Sequence, residues 1–147
     1  MVYNTSMFMG SVRDELLLNS DICGFELFNE ISRHMRSSIN EKRIPAKISE
    51  EHVKSGGWLS PKFPMLVISN SDSSCKFFDI GICVNGNILT FPLLGESAEN
   101  TKANKKKILE SEGKYFRAAL INPDMFKLQQ ESLWRMQIME CFNEMIE

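Results

Sequence analysis

The side chains best suited to chemistry in this chain are Asp79, Cys75 and the two histidines, His34 and His52. Asp79 stands among apolar residues, between Phe77 and Gly81 on alternate positions, and a strand there places it on a sheet face opposite Pro92. A carboxylate on a partly covered sheet face must be solvated, paired or protonated. It is therefore a candidate general acid, general base or metal ligand. The plainer reading is an aspartate facing water or bonded to a neighbouring loop. Cys75 follows a serine-rich loop, and His52 precedes the Gly56-Gly57 pair, so a Cys75–His52 nucleophile pair can be written. A thiol nucleophile needs a base within hydrogen-bond reach and a group orienting that base. No motif around Cys75 supplies either. His34 borders an apolar helical stripe and reads as a packing residue.

Cofactor signatures are absent. Gly56-Gly57 lacks the lysine-serine ending and the preceding strand of a phosphate loop. Cys23, Cys75, Cys83 and Cys141 are scattered without metal-ligand spacing, so buried free thiols are expected rather than a zinc site or a disulfide framework. The order of elements, helix then three strands then helix, resembles the core of a large metal-dependent nuclease superfamily. In that superfamily an Asp on the second strand, where Asp79 stands here, is joined by an acid-x-Lys pair on the third. The third strand here reads Asn87-Ile88-Leu89-Thr90-Phe91-Pro92-Leu93, with neither acid nor lysine, so no catalytic metal or other cofactor is expected.

Composition sets broad bounds. The chain has 147 residues, 43% hydrophobic and 24% charged, with a net charge of -2, which is ordinary for a single globular domain. That charge argues against a surface built for nucleic acid. Lys102, Lys105, Lys106 and Lys107 form the one basic cluster, but Glu99, Glu110 and Glu112 offset it and no aromatics are interleaved. No apolar run is long enough to span a bilayer, and no basic-then-apolar start marks a secretory signal, so the expected location is cytoplasmic.

The elements that must position these residues can be read from periodicity. Residues 1–10 show no period and read as a loose arm. Ser11 caps a short helix to about Leu18, and Asp21 caps a longer one. Ile22, Phe25, Phe28, Ile31, Met35 and Ile39 are its stripe. Ser49 caps one further helical turn through Lys54. Phe63–Ser69 is a strand apolar at both parities, hence central or covered on both sides.

The Asn85-Gly86 dipeptide predicts a two-residue type I′ turn. Closing the chain there pairs Ile82 with Leu89, Ile80 with Phe91 and Phe78 with Leu93, one apolar wall. Pro92 has no N–H to donate, which places its strand at a sheet edge. A polar helix from Ser97 to about Ser111 is expected next, and Tyr115–Ile121 reads as a fourth strand, with further helix as the alternative. The last helix starts at Pro123. The fold class is thus α+β, one domain, an antiparallel three-stranded meander with helices before and after it.

That last helix carries more apolar arc than one buried face needs. Trp134, Ile138, Cys141 and Met145 form a stripe, and Leu133, Met136, Met139, Phe142 and Ile146 widen it. Its polar remainder is acidic, with Asp124, Glu131, Glu140, Glu144 and Glu147 against Lys127 and Arg135. Helices of this kind run between core layers or offer a flank to a partner. The expected role is a non-catalytic interaction protein that uses Trp134, Met136 and Met139 to contact a protein partner or its own copy. An enzyme built on Asp79 with His52 or Cys75 is the alternative.

Overall fold

The computed structural model describes residues 2–57, 59–72, 78–95 and 123–146, with side chains of the last helix from residue 129 onward. The elements in chain order are β1 (Val2–Asn4), a 3-10 turn (Thr5–Met7), β2 (Phe8–Ser11), β3 (Leu16–Leu17), α1 (Gly24–Glu41) and β4 (Lys47–Lys54). They continue with β5 (Lys62–Ser69), β6 (Asp79–Asn85), β7 (Ile88–Thr90), β8 (Pro92–Leu94) and α2 (Pro123–Ile146). The fold is α+β: α1 and α2 pack on a mostly antiparallel sheet of eight strands, ordered β1-β4-β5-β6-β7-β3, with β8 joining β6 to β2. The expected polar helix and fourth strand, the Lys102–Lys107 cluster and Cys75 lie outside the described residues.

The meander is the centre of the sheet, and its apolar wall forms as expected, but the turn is one residue further along. Asn85 pairs with Ile88 and Val84 with Leu89, so the loop is Gly86-Asn87 rather than Asn85-Gly86. Only Gly86, at φ +62, takes a positive φ there, as a II′ turn with glycine first requires. The shift moves each partner by two residues, which preserves side-chain parity. Phe78, Ile80, Ile82, Val84, Leu89 and Phe91 therefore all stay buried, five of them in one core cluster with the helices. The segment before α1 selects this register. Asn87 O accepts from Leu18 N at 2.9 Å, and Asn87 Nδ2 donates to Leu18 O at 3.2 Å. Gly86 O accepts from Gly24 N at 2.8 Å.

Helix α1 covers that wall. It starts later than expected, with Cys23 at the N-cap and no side-chain cap, and Phe25 points outward at 59% exposure. Leu27, Phe28, Ile31, Met35 and Ile39 are buried against Leu66 and Ile68 of β5 and the wall of β6. At roughly 1.5–3 kcal/mol for each large apolar side chain buried, this layer dominates the stability of the domain. Strand β5 is central, as its two-sided hydrophobicity implied. Met65 and Val67 face the other way, into a smaller cluster with Val53, Cys83 and Leu94.

Several expectations are corrected. The first ten residues are no loose arm: β1 pairs in parallel with β4, and β2 pairs with β8. Residues 11–18 form no helix: Ser11 ends β2, a bend follows at residues 12–13, and Leu16–Leu17 make the short strand β3. Residues 49–54 belong to β4, fully paired with β5. The second hairpin strand breaks at Phe91, whose carbonyl accepts from Val12 N at 2.9 Å. Pro92 then opens β8, a position that needs no N–H, and β8 lies between β6 and β2 rather than at an edge.

Candidate functional site

Asp79 is the first residue of β6, half-buried and paired across to Leu94, not to Pro92. It shares the parity of Gly81 and Cys83, so it sits at one end of the smaller apolar face. His52 is exposed on β4, opposite Pro64 and Val2. It has the parity of Ile48 and Glu50, which belongs to the face under α1, where Ser32 Oγ donates to Glu50 Oε1 at 2.9 Å. Asp79 and His52 are thus on opposite faces, two strands apart and roughly 20 Å distant at sheet spacings. No acid–base or nucleophile pair forms from them. Among the described residues no group of three or more His, Cys, Asp or Glu side chains is gathered to hold a metal.

The cysteines with described positions are free: Cys23 is exposed, whereas Cys83 and Cys141 are buried. Burial pushes the Cys83 thiol up, against a smaller opposing pull from Thr90, which disfavours the reactive thiolate. His34 is a helix-to-helix fastener. Its Nε2 lies 2.8 Å from Cys141 O, and because a carbonyl only accepts, Nε2 carries the hydrogen.

The chemistry unanticipated by the sequence lies in α2. Glu131, assigned above to the polar remainder, is fully buried at 0% exposure. It is one turn from Trp134 and Arg135 and on the stripe of Ile138 and Phe142, so the helix turns a carboxylate inward. Arg135 Nε approaches Glu131 to 2.9 Å, an ion-pair contact without the alignment of a hydrogen bond. Burial pushes the Glu131 carboxyl up to about 7, with Arg135 pulling the other way. Acid-rich composition gives no hint of this, although position 131, seven residues before Ile138, falls on the apolar stripe.

The interaction residues expected on α2 divide. Trp134 is 4% exposed, with its indole Nε1 donating to Pro45 O at 2.7 Å, and Met139 is 9% exposed. Both are spent on the chain's own core. Met136 and Leu133 remain outside at 57% and 53% exposure. Beside them a hollow of about 270 Å³ is lined by Pro45, Asn70, Asp72, Gln130 and Gln137. At the far end of α2, Phe142 meets Phe91 edge-on at 5.0 Å. The Arg13 guanidinium lies over both rings and donates to Asn143 Oδ1 at 2.7 Å. No described helix is long and apolar enough to cross a membrane. No protein-family model, curated protein or solved structure matches this chain.

Proposed function

We propose that the protein is a non-catalytic interaction protein that self-associates through the outer flank of α2. The supporting observation is the exposure of Leu133 and Met136, one turn apart, on a helix whose inner stripe is already filled by Trp134, Ile138 and Phe142. Two apolar side chains at this spacing form a compact contact patch. Gln130 and Gln137 flank Leu133 without charge, whereas Glu140 follows Met136 by one turn and Asp72 lines the adjoining hollow, so two copies meeting about a twofold axis there must keep those carboxylates apart. The hollow beside Leu133 offers a recess for a methionine from the second copy, a flexible side chain suited to filling irregular gaps. Sedimentation velocity over a concentration series tests the reading. The wild type is expected to shift from one-chain to two-chain species as concentration rises, and Leu133→Glu to remain a single chain at every concentration. A wild type that never exceeds one chain removes the proposal.

A further inference from the structure

The two ends of the sheet meet. Along the path β1-β4-β5-β6-β8-β2, the first and last strands would stand five strand spacings apart in a flat sheet, about 24 Å. The four residue steps from Asn4 to Phe8 reach at most about 14 Å. The sheet must therefore curl until β1 and β2 lie along one strand. Directions agree, because β1 is parallel to β4 and four antiparallel steps from β4 to β2 restore the same sense. Residues 2–11 are thus a single stave, kinked at the 3-10 turn, bonded to β4 by its first half and to β8 by its second. The smaller apolar cluster is the interior of this ring. Val53, Met65, Val67, Cys83 and Leu94 come from β4, β5, β6 and β8, and Tyr3 and Phe8 pack against them from the closing strand.

That closing strand is held less firmly than the strands it joins. None of residues 2–11 is fully buried, whereas β4, β5, β6 and β8 each bury at least one side chain in the ring. Strand β1 meets only His52, Val53 and Lys54, at the end of the eight-residue β4. Strand β2 meets β8 at Phe8 and Ser11, with an irregularity between them. Firm anchoring begins with the next residues: Val12 N donates to Phe91 O at 2.9 Å, and the Arg13 guanidinium lies over Phe91 and Phe142. Just before this anchor stands Gly10 at φ +143, a backbone state that glycine adopts without strain. A segment with little buried surface opens at lower free energy than the fold as a whole.

We propose that residues 2–10 are a clasp that releases as a unit about Gly10, opening the ring while β4–β8 and the helices stay folded. Release uncovers the Cys83 thiol and leaves unpaired backbone at the outer edges of β4 and β8. The clasp and Cys83 lie on the other side of the sheet from the helices, so the outcome is independent of association through α2. Cys83 serves as the reporter. The full chain is treated with N-ethylmaleimide in native buffer, and modification at Cys83 is followed by mass spectrometry. The expected rate is at least about tenfold above what global unfolding, measured with urea, permits. Phe8→Ala removes a ring from the clasp and should speed modification of Cys83 by a further factor of roughly ten. Ile39→Val weakens the helical core, which the opening leaves intact. It should lower the urea midpoint and leave the Cys83 rate unchanged. Modification no faster than global unfolding overturns the proposal. So does a Cys83 rate that rises with Ile39→Val, or one that ignores Phe8→Ala.

Discussion

Helices α1 and α2 lie on the same face of the same sheet, yet they distribute polarity in opposite ways. Helix α1 buries Leu27, Phe28, Ile31, Met35 and Ile39 and turns its charged residues outward, where Arg33 pairs with Glu30. Helix α2 buries Trp134, Ile138 and Phe142 as well, but with them a carboxylate, Glu131, while Leu133 and Met136 face out. Arg135, 2.9 Å from Glu131 on the same helix, offsets part of the cost of burying it. A buried carboxylate costs stability, and exposed apolar area gains nothing until something covers it. Exposed apolar area is common to both helices, Phe25 on α1 and Leu133 and Met136 on α2, so the buried carboxylate is what sets α2 apart.

The largest expected effects test whether the two inner faces are equivalent. Phe28→Ala in α1 and Phe142→Ala in α2 should each cost about 3–5 kcal/mol, because both rings are buried and neither site can collapse freely. Urea unfolding would measure this. A loss below about 1 kcal/mol for Phe142→Ala would mean that α2 is only loosely docked, and the comparison would fail.

Glu131 sharpens the contrast through pH. Its carboxyl is held up at about 7 in the folded chain, against 4.5 for a free side chain. The folded state therefore binds the proton more tightly. The burial penalty is absent below about pH 4.5, grows as pH rises towards 7, and is complete above it. Glu131→Gln should raise stability at pH 8 by on the order of 2–3 kcal/mol, with the gain vanishing near pH 4. It should also flatten the pH dependence between those limits. Unfolding midpoints at pH 4, 6 and 8 would measure both. Parallel curves for the two proteins would show that the carboxylate is not buried as described.

On the side of α1, the Gly86-Asn87 turn and its bond to Gly24 set where the helix begins. Gly86 has φ +62 and open space where a Cβ would stand, so the penalty for Gly86→Val is conformational rather than steric crowding. A loss of about 1–2 kcal/mol in thermal unfolding is expected. An unchanged midpoint would mean that the turn tolerates another geometry.

How far the chain can be read before it folds depends on whether one face owns an element. The wall of Ile80, Ile82, Val84, Leu89 and Phe91 is legible because every residue of one parity is buried on the same side. The exact turn is not, because a two-residue displacement leaves that parity intact. The bonds from Leu18 and Gly24 that decide between registers come from a distant segment. Strand β4 is hidden for the opposite reason. Ile48 packs under α1 and Val53 in the smaller cluster, so its apolar residues have opposite parity and show no alternation. Strands β1, β2 and β3 are two to four residues long, too short for any period. Within α2, the breadth of the apolar arc is apparent from sequence, but which side meets the sheet is not. Trp134 and Met139 go inward while Leu133 and Met136 stay out. Asp79 and His52 look like chemistry by residue type alone, and only the strand pairing shows them on opposite faces.

The smallest expected change in stability carries the most weight for function. Met136→Glu replaces an exposed side chain, so the folded chain should lose less than about 0.5 kcal/mol. In a dry contact between two copies the same charge is costly unless it is paired. Light scattering of the wild type and of Met136→Glu at equal concentrations is the direct measurement. The account predicts a two-chain mass for the wild type and a one-chain mass for the variant, with unfolding midpoints that match in dilute solution. A two-chain mass retained by Met136→Glu, or a wild type that is a single chain at every concentration, would contradict it.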